Sequence, residues 1–210
     1  MSGRTASSDE REPVRVHLCI SGFTQTEQTP NGVFRLYSEL CRLGFNNGVS
    51  RVLLYRWNSK WAEVAEFLWL LGQEEGNGDC RVEINIYAYS WGMGWGAIQL
   101  VNELRRRGIT VNIIVSADGV YRHKWFKLPA MARRNAWWAP TIKIPPRVRE
   151  VTPFHQRQNV PQGHVIKRGK GCSAMIHESR ELESDHQYID DSDDFHLACI
   201  HASRRLMEVR

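Results

Sequence analysis

At 210 residues, with 42% hydrophobic and 24% charged residues, the chain has the length and composition of one globular domain with a substantial core. It contains no apolar run of the roughly eighteen residues that a membrane-spanning helix needs, and residues 1–12 are polar, which argues against a secretory leader and for a disordered tail. The five cysteines (Cys19, Cys41, Cys80, Cys172, Cys199) are scattered without a Cys-x-x-Cys pair, a pattern that points to free thiols in a reducing, cytoplasmic setting and away from a zinc site.

The domain is expected to span residues 13–210. Residues 14–20 alternate as a strand and end in Ser21-Gly22-Phe23, a glycine-containing loop able to present a backbone N–H. A helix is predicted over 33–43, stopped by Gly44, then a strand over 51–56 and an apolar helix over 61–71, stopped by Gly72. Residues 81–89 alternate again and run directly into Ala88-Tyr89-Ser90-Trp91-Gly92, after which apolar residues from Gly94 to Arg107 recur at helical spacing. A serine between small residues at such a corner can be held on a tight strand-to-helix turn with its hydroxyl exposed. The same pattern also suits a βα turn in which Ser90 only caps the helix.

Residues 110–116 form a nearly continuous apolar run, the mark of a buried parallel strand, and are followed by Asp118-Gly119. Ser90 and Asp118 should therefore share the carboxyl edge of one sheet, where an acid can orient a histidine that takes the serine proton. Of the eight histidines, His186 is preferred: it lies in a late loop, Asp185-His186-Gln187, directly before the last predicted helix, 195–209, which Ser192 caps. His17 falls inside the first strand and reads as structural. The acids Asp190, Asp191, Asp193 and Asp194 are read as serving that helix start rather than a metal.

Residues 121–149 hold eight Lys or Arg and no Asp or Glu, interleaved with Trp125, Phe126, Trp137 and Trp138. Such a segment can act as a lid over a site, favouring an anionic or amphiphilic substrate or transient contact with a membrane surface. It also suits nucleic acid, although no recognised nucleic-acid motif accompanies it. A solvated segment with its tryptophans on the core is the plainest reading. Further short strands are expected at 148–151, 163–167 and 173–177.

These motifs resemble the α/β-hydrolase family, in particular its small esterase and lipase-like members. The resemblance runs from about Val14 to the C-terminus and rests on Ser21-Gly22-Phe23, Ala88-Tyr89-Ser90-Trp91-Gly92, Ser116-Ala117-Asp118-Gly119-Val120 and the Asp185-His186 loop. It implies a three-layer α/β/α sandwich around a mainly parallel sheet, without the family's leading antiparallel strands. It also implies a cofactor-free, metal-free Ser90-His186-Asp118 triad that cleaves an ester or thioester of a small or lipid-like molecule through an acyl-enzyme. The oxyanion hole would come from Trp91 and the Gly22-Phe23 loop. The chain departs from the family in carrying Ala88 for the usual glycine and in placing the acid on the strand next after the elbow strand. The rival expectation is a non-catalytic member that binds an anionic partner through residues 121–149.

Overall fold

The computed structural model of the chain describes residues 12–23, 25, 31–75, 80–122, 131 and 133–208. Strands and helices alternate through the first half: β1 (Val14–Ser21), α1 (Gly32–Arg42), β2 (Ser50–Arg56), α2 (Trp61–Glu75) and β3 (Val82–Tyr89). A single stretch of π-helix (Gly92–Ala97) then runs into α3 (Ile98–Arg106), followed by β4 (Val111–Ala117). The second half holds β5 (Ile142–Ile144), β6 (Val148–His155), β7 (Ile166–Arg168), β8 (Met175–Ile176) and β9 (Arg180–Glu181), then a 3-10 turn (Ile189–Asp191) and α4 (Asp193–Glu208).

The central sheet has the order β2-β1-β3-β4-β6-β8, with β9 also on β6, and its pairings are parallel. The pleat sends alternate side chains to opposite faces. Val14, Val16, Leu18 and Ile20 of β1, with Ile84, Ile86 and Ala88 of β3, pack against Trp61, Val64 and Leu68 of α2 and Leu100, Val101 and Leu104 of α3. On the other face Cys19, Tyr87, Tyr89, Val115 and Phe154 meet Val33, Leu36 and Leu40 of α1 and Phe195 and Cys199 of α4. Helices thus cover both faces, giving the three-layer α/β/α sandwich with a mainly parallel sheet. Each large aliphatic side chain sealed between layers contributes on the order of 2 kcal/mol of burial, so the sheet is a stiff platform for whatever its edge carries. His17 sits inside the second core against Phe45 and Tyr87, and burial, helped by Arg15, lowers its pKa to about 4.

Three elements differ from the sequence expectation. Helix α2 runs through Gly72 to Glu75, because that glycine packs against the Cys80 thiol and Val82 instead of ending the helix. β6 extends four residues beyond Val151, through Pro153. The missing proline N–H is tolerated because β8 pairs with β6 at Glu150 and Val151 and β9 at Phe154 and His155, leaving Pro153 between them. Within the basic segment 121–149, Ile142 and Ile144 are buried in the first core and pair in parallel with β7, so that end of the segment is part of the fold rather than a cover. Residues 1–11, including most of the expected tail, lie outside the described residues. Among the described residues, no helix is long and apolar enough to cross a membrane. The five cysteines are free thiols, with Cys19 and Cys199 buried.

Candidate active site

Ser90 lies one residue beyond β3 and Asp118 one residue beyond β4, and these strands are neighbours. Both residues adopt left-handed backbone, Ser90 with φ 53° and Asp118 with φ 43°. That conformation costs a non-glycine residue about 1–3 kcal/mol and persists only where the surroundings over-determine it. Here four hydrogen bonds hold the serine corner. Its N–H donates to Ala117 O (3.1 Å), and its carbonyl accepts from Met93 (3.1 Å), Gly94 (3.0 Å) and Val120 (3.0 Å). The Asp118 N–H donates to Phe154 O at 2.8 Å, which ties the second corner to β6.

The small residues around the elbow are demanded by close backbone approach. A Cβ on Gly92 would stand 2.5 Å from Ile20 O, and one on Gly94 would stand 1.8 Å from Val120 O. The second contact shows that Gly94 makes room for the loop that follows Asp118. The helix takes a wider π-helical turn over Gly92–Ala97, a distortion frequent at functional sites.

His186 arrives from the loop before α4 and completes a chain of hydrogen bonds. Ser90 Oγ is 3.0 Å from His186 Nε2, and His186 Nδ1 is 2.5 Å from Asp118 Oδ2. All three are nearly sealed from solvent: Ser90 is 5%, His186 7% and Asp118 0% exposed. The three residues singled out from sequence therefore meet in space in the order hydroxyl, imidazole, carboxylate.

A second set of residues, which sequence reasoning missed, holds the acid and the imidazole. Asp118 Oδ1 accepts from the backbone N–H groups of Gly163 (2.5 Å) and Gln156 (3.2 Å), and Oδ2 also accepts from Gln156 Nε2 (3.0 Å). Asn159 Oδ1 accepts from the His186 N–H at 2.8 Å, and Gln156 Oε1 accepts from the Asn159 N–H at 3.0 Å. The loop 156–163 thus grips both partners at once. Tyr89 adds a third hold, its hydroxyl donating to the His186 carbonyl at 2.6 Å. Burial, and to a smaller extent the Asp190 and Asp118 carboxylates, push the Tyr89 pKa far above the usual phenol value, so it stays a neutral donor. The signal for Gln156 was its position just past the carboxyl end of β6, hidden because Pro153 made that strand look shorter than it is.

The loop after β1 is arranged differently from the expectation in one respect. The Gly22 N–H already donates to Gln25 Oε1 at 2.9 Å, and Gln25 Nε2 in turn donates to Asp190 Oδ2 at 2.6 Å. Asp190 also accepts from the Val33 N–H at the start of α1, at 3.0 Å. It therefore caps α1 rather than the helix that follows it, while Ser192 caps α4 through the Phe195 N–H at 3.3 Å. Gly22 is not a free donor. Among the described residues, the Phe23 and Trp91 N–H groups have no hydrogen-bond acceptor, and the two rings pack 4.3 Å apart.

Of the expected lid residues, Trp125 and Phe126 lie outside the described residues. Trp137 is 96% exposed and is not packed over the serine. Trp138 lines a surface cavity of about 480 Å³ with Tyr121, Gly94 and Ile98, on the flank of the elbow helix. Among the described residues of the basic segment, Arg134 touches the triad's support: its guanidinium donates to Gly163 O at 2.6 Å. Among the described residues no cluster of three His, Cys, Asp or Glu is disposed to hold a metal.

Such a hydroxyl–imidazole–carboxylate chain at a strained strand-to-helix corner has the layout that nucleophilic acyl transfer requires. No protein-family model matches the chain, and no curated protein matches it significantly.

Proposed function

We propose that the protein is a serine hydrolase of the α/β-hydrolase type that cleaves an ester or thioester through an acyl-enzyme. The observation that carries this reading is the unbroken chain Ser90 Oγ–His186 Nε2–His186 Nδ1–Asp118 Oδ2, with contacts of 3.0 and 2.5 Å inside a nearly dry site. In this reading Asp118 fixes the tautomer with the proton on Nδ1, leaving Nε2 as the base. As Ser90 Oγ attacks the carbonyl carbon, Nε2 takes its proton and then delivers it to the departing alcohol or thiol. Water, deprotonated by the same nitrogen, attacks the acyl-serine and releases the acid. The developing oxyanion is received by the N–H groups of Trp91 and Phe23, a pair of donors of which each typically lowers the barrier by about 3–4 kcal/mol. The Asp190–Gln25–Gly22 chain of hydrogen bonds holds the loop that carries Phe23.

The test is turnover of 4-nitrophenyl butyrate by the purified chain. Wild type should hydrolyse it, and Ser90→Ala and His186→Ala should each lose several orders of magnitude in kcat. Hydrolysis that survives Ser90→Ala undiminished would remove the serine from the mechanism.

A further inference from the structure

Beside the nucleophile, three tryptophans converge on one arginine. The Arg122 guanidinium carbon lies 4.6 Å from the Trp57 ring centre, 4.9 Å from that of Trp95 and 5.3 Å from that of Trp91. Trp91 directly follows Ser90, and Phe23, on the proposed oxyanion loop, packs 4.3 Å from Trp91 and 5.7 Å from Trp57. The base of Arg122 is anchored, since the N–H of Tyr121 donates to His164 Nδ1 at 2.8 Å and the N–H of Val120 to the carbonyl of Ser90 at 3.0 Å.

Attraction between a guanidinium and an indole face consumes no hydrogen-bond acceptor, so the N–H groups of the arginine are not used up by these contacts. Among the described residues, no carboxylate, carbonyl or hydroxyl accepts a hydrogen bond from Arg122. The acid nearest in the chain, Asp118, is committed to His186, Gln156 and Gly163. A half-buried guanidinium, held by aromatic contacts and without an anionic partner among the described residues, presents a two-pronged fork, and oxyanions that offer two oxygens side by side match it. Its ordering also means that little side-chain freedom is lost when such a group docks.

We propose that Arg122 is the specificity residue of the site and binds an oxyanion, carboxylate or phosphate, that the substrate carries apart from its scissile carbonyl. This rests on the hydrolase reading and adds the substrate class to it: an ester of an acidic molecule. A purely structural Arg122, serving only to shield the indoles from water, would give no such preference.

Matched esters test the proposal. On the acyl side, mono-4-nitrophenyl adipate is compared with 4-nitrophenyl hexanoate. On the leaving-group side, 4-acetoxybenzoate and 4-acetoxyphenyl phosphate are each compared with phenyl acetate, which separates carboxylate from phosphate. In wild type one anionic ester should exceed its neutral partner in kcat/KM by about tenfold or more, the effect of one charge-assisted hydrogen bond, expressed mainly in KM. Arg122→Met should bring that ratio close to one, and Arg122→Lys, which keeps the charge without the fork, should lower it partway. The ratio is internal to each variant, so a general loss of folded protein divides out. Equal kcat/KM for anionic and neutral esters in wild type, or a preference that Arg122→Met leaves intact, overturns the proposal while the hydrolase reading stands. If no ester is cleaved at all, the hydrolase reading fails and takes this one with it.

Discussion

Asp190 offers a prediction whose magnitude can be worked from its surroundings. Its side chain is fully buried, its Oδ2 accepts from Gln25 and from the Val33 N–H, and among the described residues its Oδ1 has no partner. Burial outweighs these two hydrogen bonds and raises its pKa from 3.8 to about 6. Below pH 4 both folded and unfolded chains keep the proton, and the group costs nothing. Between pH 4 and 6 the unfolded chain gives up its proton while the folded one retains it, so stability falls as pH rises. Above pH 6 the penalty is constant, at roughly 3 kcal/mol for a shift of about two units. Asn in place of Asp keeps an acceptor for Gln25 and Val33 but cannot ionise. Urea unfolding of wild type and Asp190→Asn at pH 4 and pH 7.5 should therefore show wild type losing about 3 kcal/mol more than the variant over that interval. His17, held neutral by burial with a pKa of about 4, contributes a slope of opposite sign that is common to both proteins and cancels in the difference. Parallel stability–pH curves for the two proteins would refute the reasoning.

Two further predictions concern the support of the triad. Asp118→Asn presents the wrong hydrogen-bonding group to His186 Nδ1 and should lower kcat for 4-nitrophenyl butyrate by about 10⁴. A loss under tenfold would mean that the carboxylate does not set the tautomer. Gly163→Ala places a Cβ 2.4 Å from Asp118 Oδ1 and 3.0 Å from its Cα, so the acid must move. Displacements of this size cost about a hundredfold in rate, and kcat should fall accordingly with far-UV circular dichroism unchanged; an unaltered kcat would show that the 156–163 loop does not position the acid.

The fold was legible because each early element announces itself over many residues: β1 by alternation, β4 as an apolar run, α1 as a helical stripe stopped by Gly44 and α3 as a run of apolar residues at helical spacing. The elbow was legible for a related reason, since the change of period from two to about 3.6 falls directly on Ser90. Asp118 and His186 could be placed because strand ends and the loop before the last helix are where parallel sheets gather side chains. The support of the triad was not legible. Gln156, Asn159 and Gly163 act through a loop whose conformation depends on tertiary contacts, and Pro153 disguised the strand that delivers it. The Gln25–Asp190 bond joins residues 165 apart in the chain, a pairing with no local signature. The cage around Arg122 was invisible likewise: Trp57, Trp91 and Trp95 come from two different elements, and only the parallel pairing of β1 with β2 and β3 brings them together.

The most direct test of the account is the intact mass of the protein after exposure to a fluorophosphonate, followed by peptide mapping. A Ser90 nucleophile activated by His186 gives one phosphonyl adduct per chain, located on Ser90, absent from Ser90→Ala and formed far more slowly by His186→Ala. Wild-type protein that remains unmodified, or an adduct on any other residue, would contradict it.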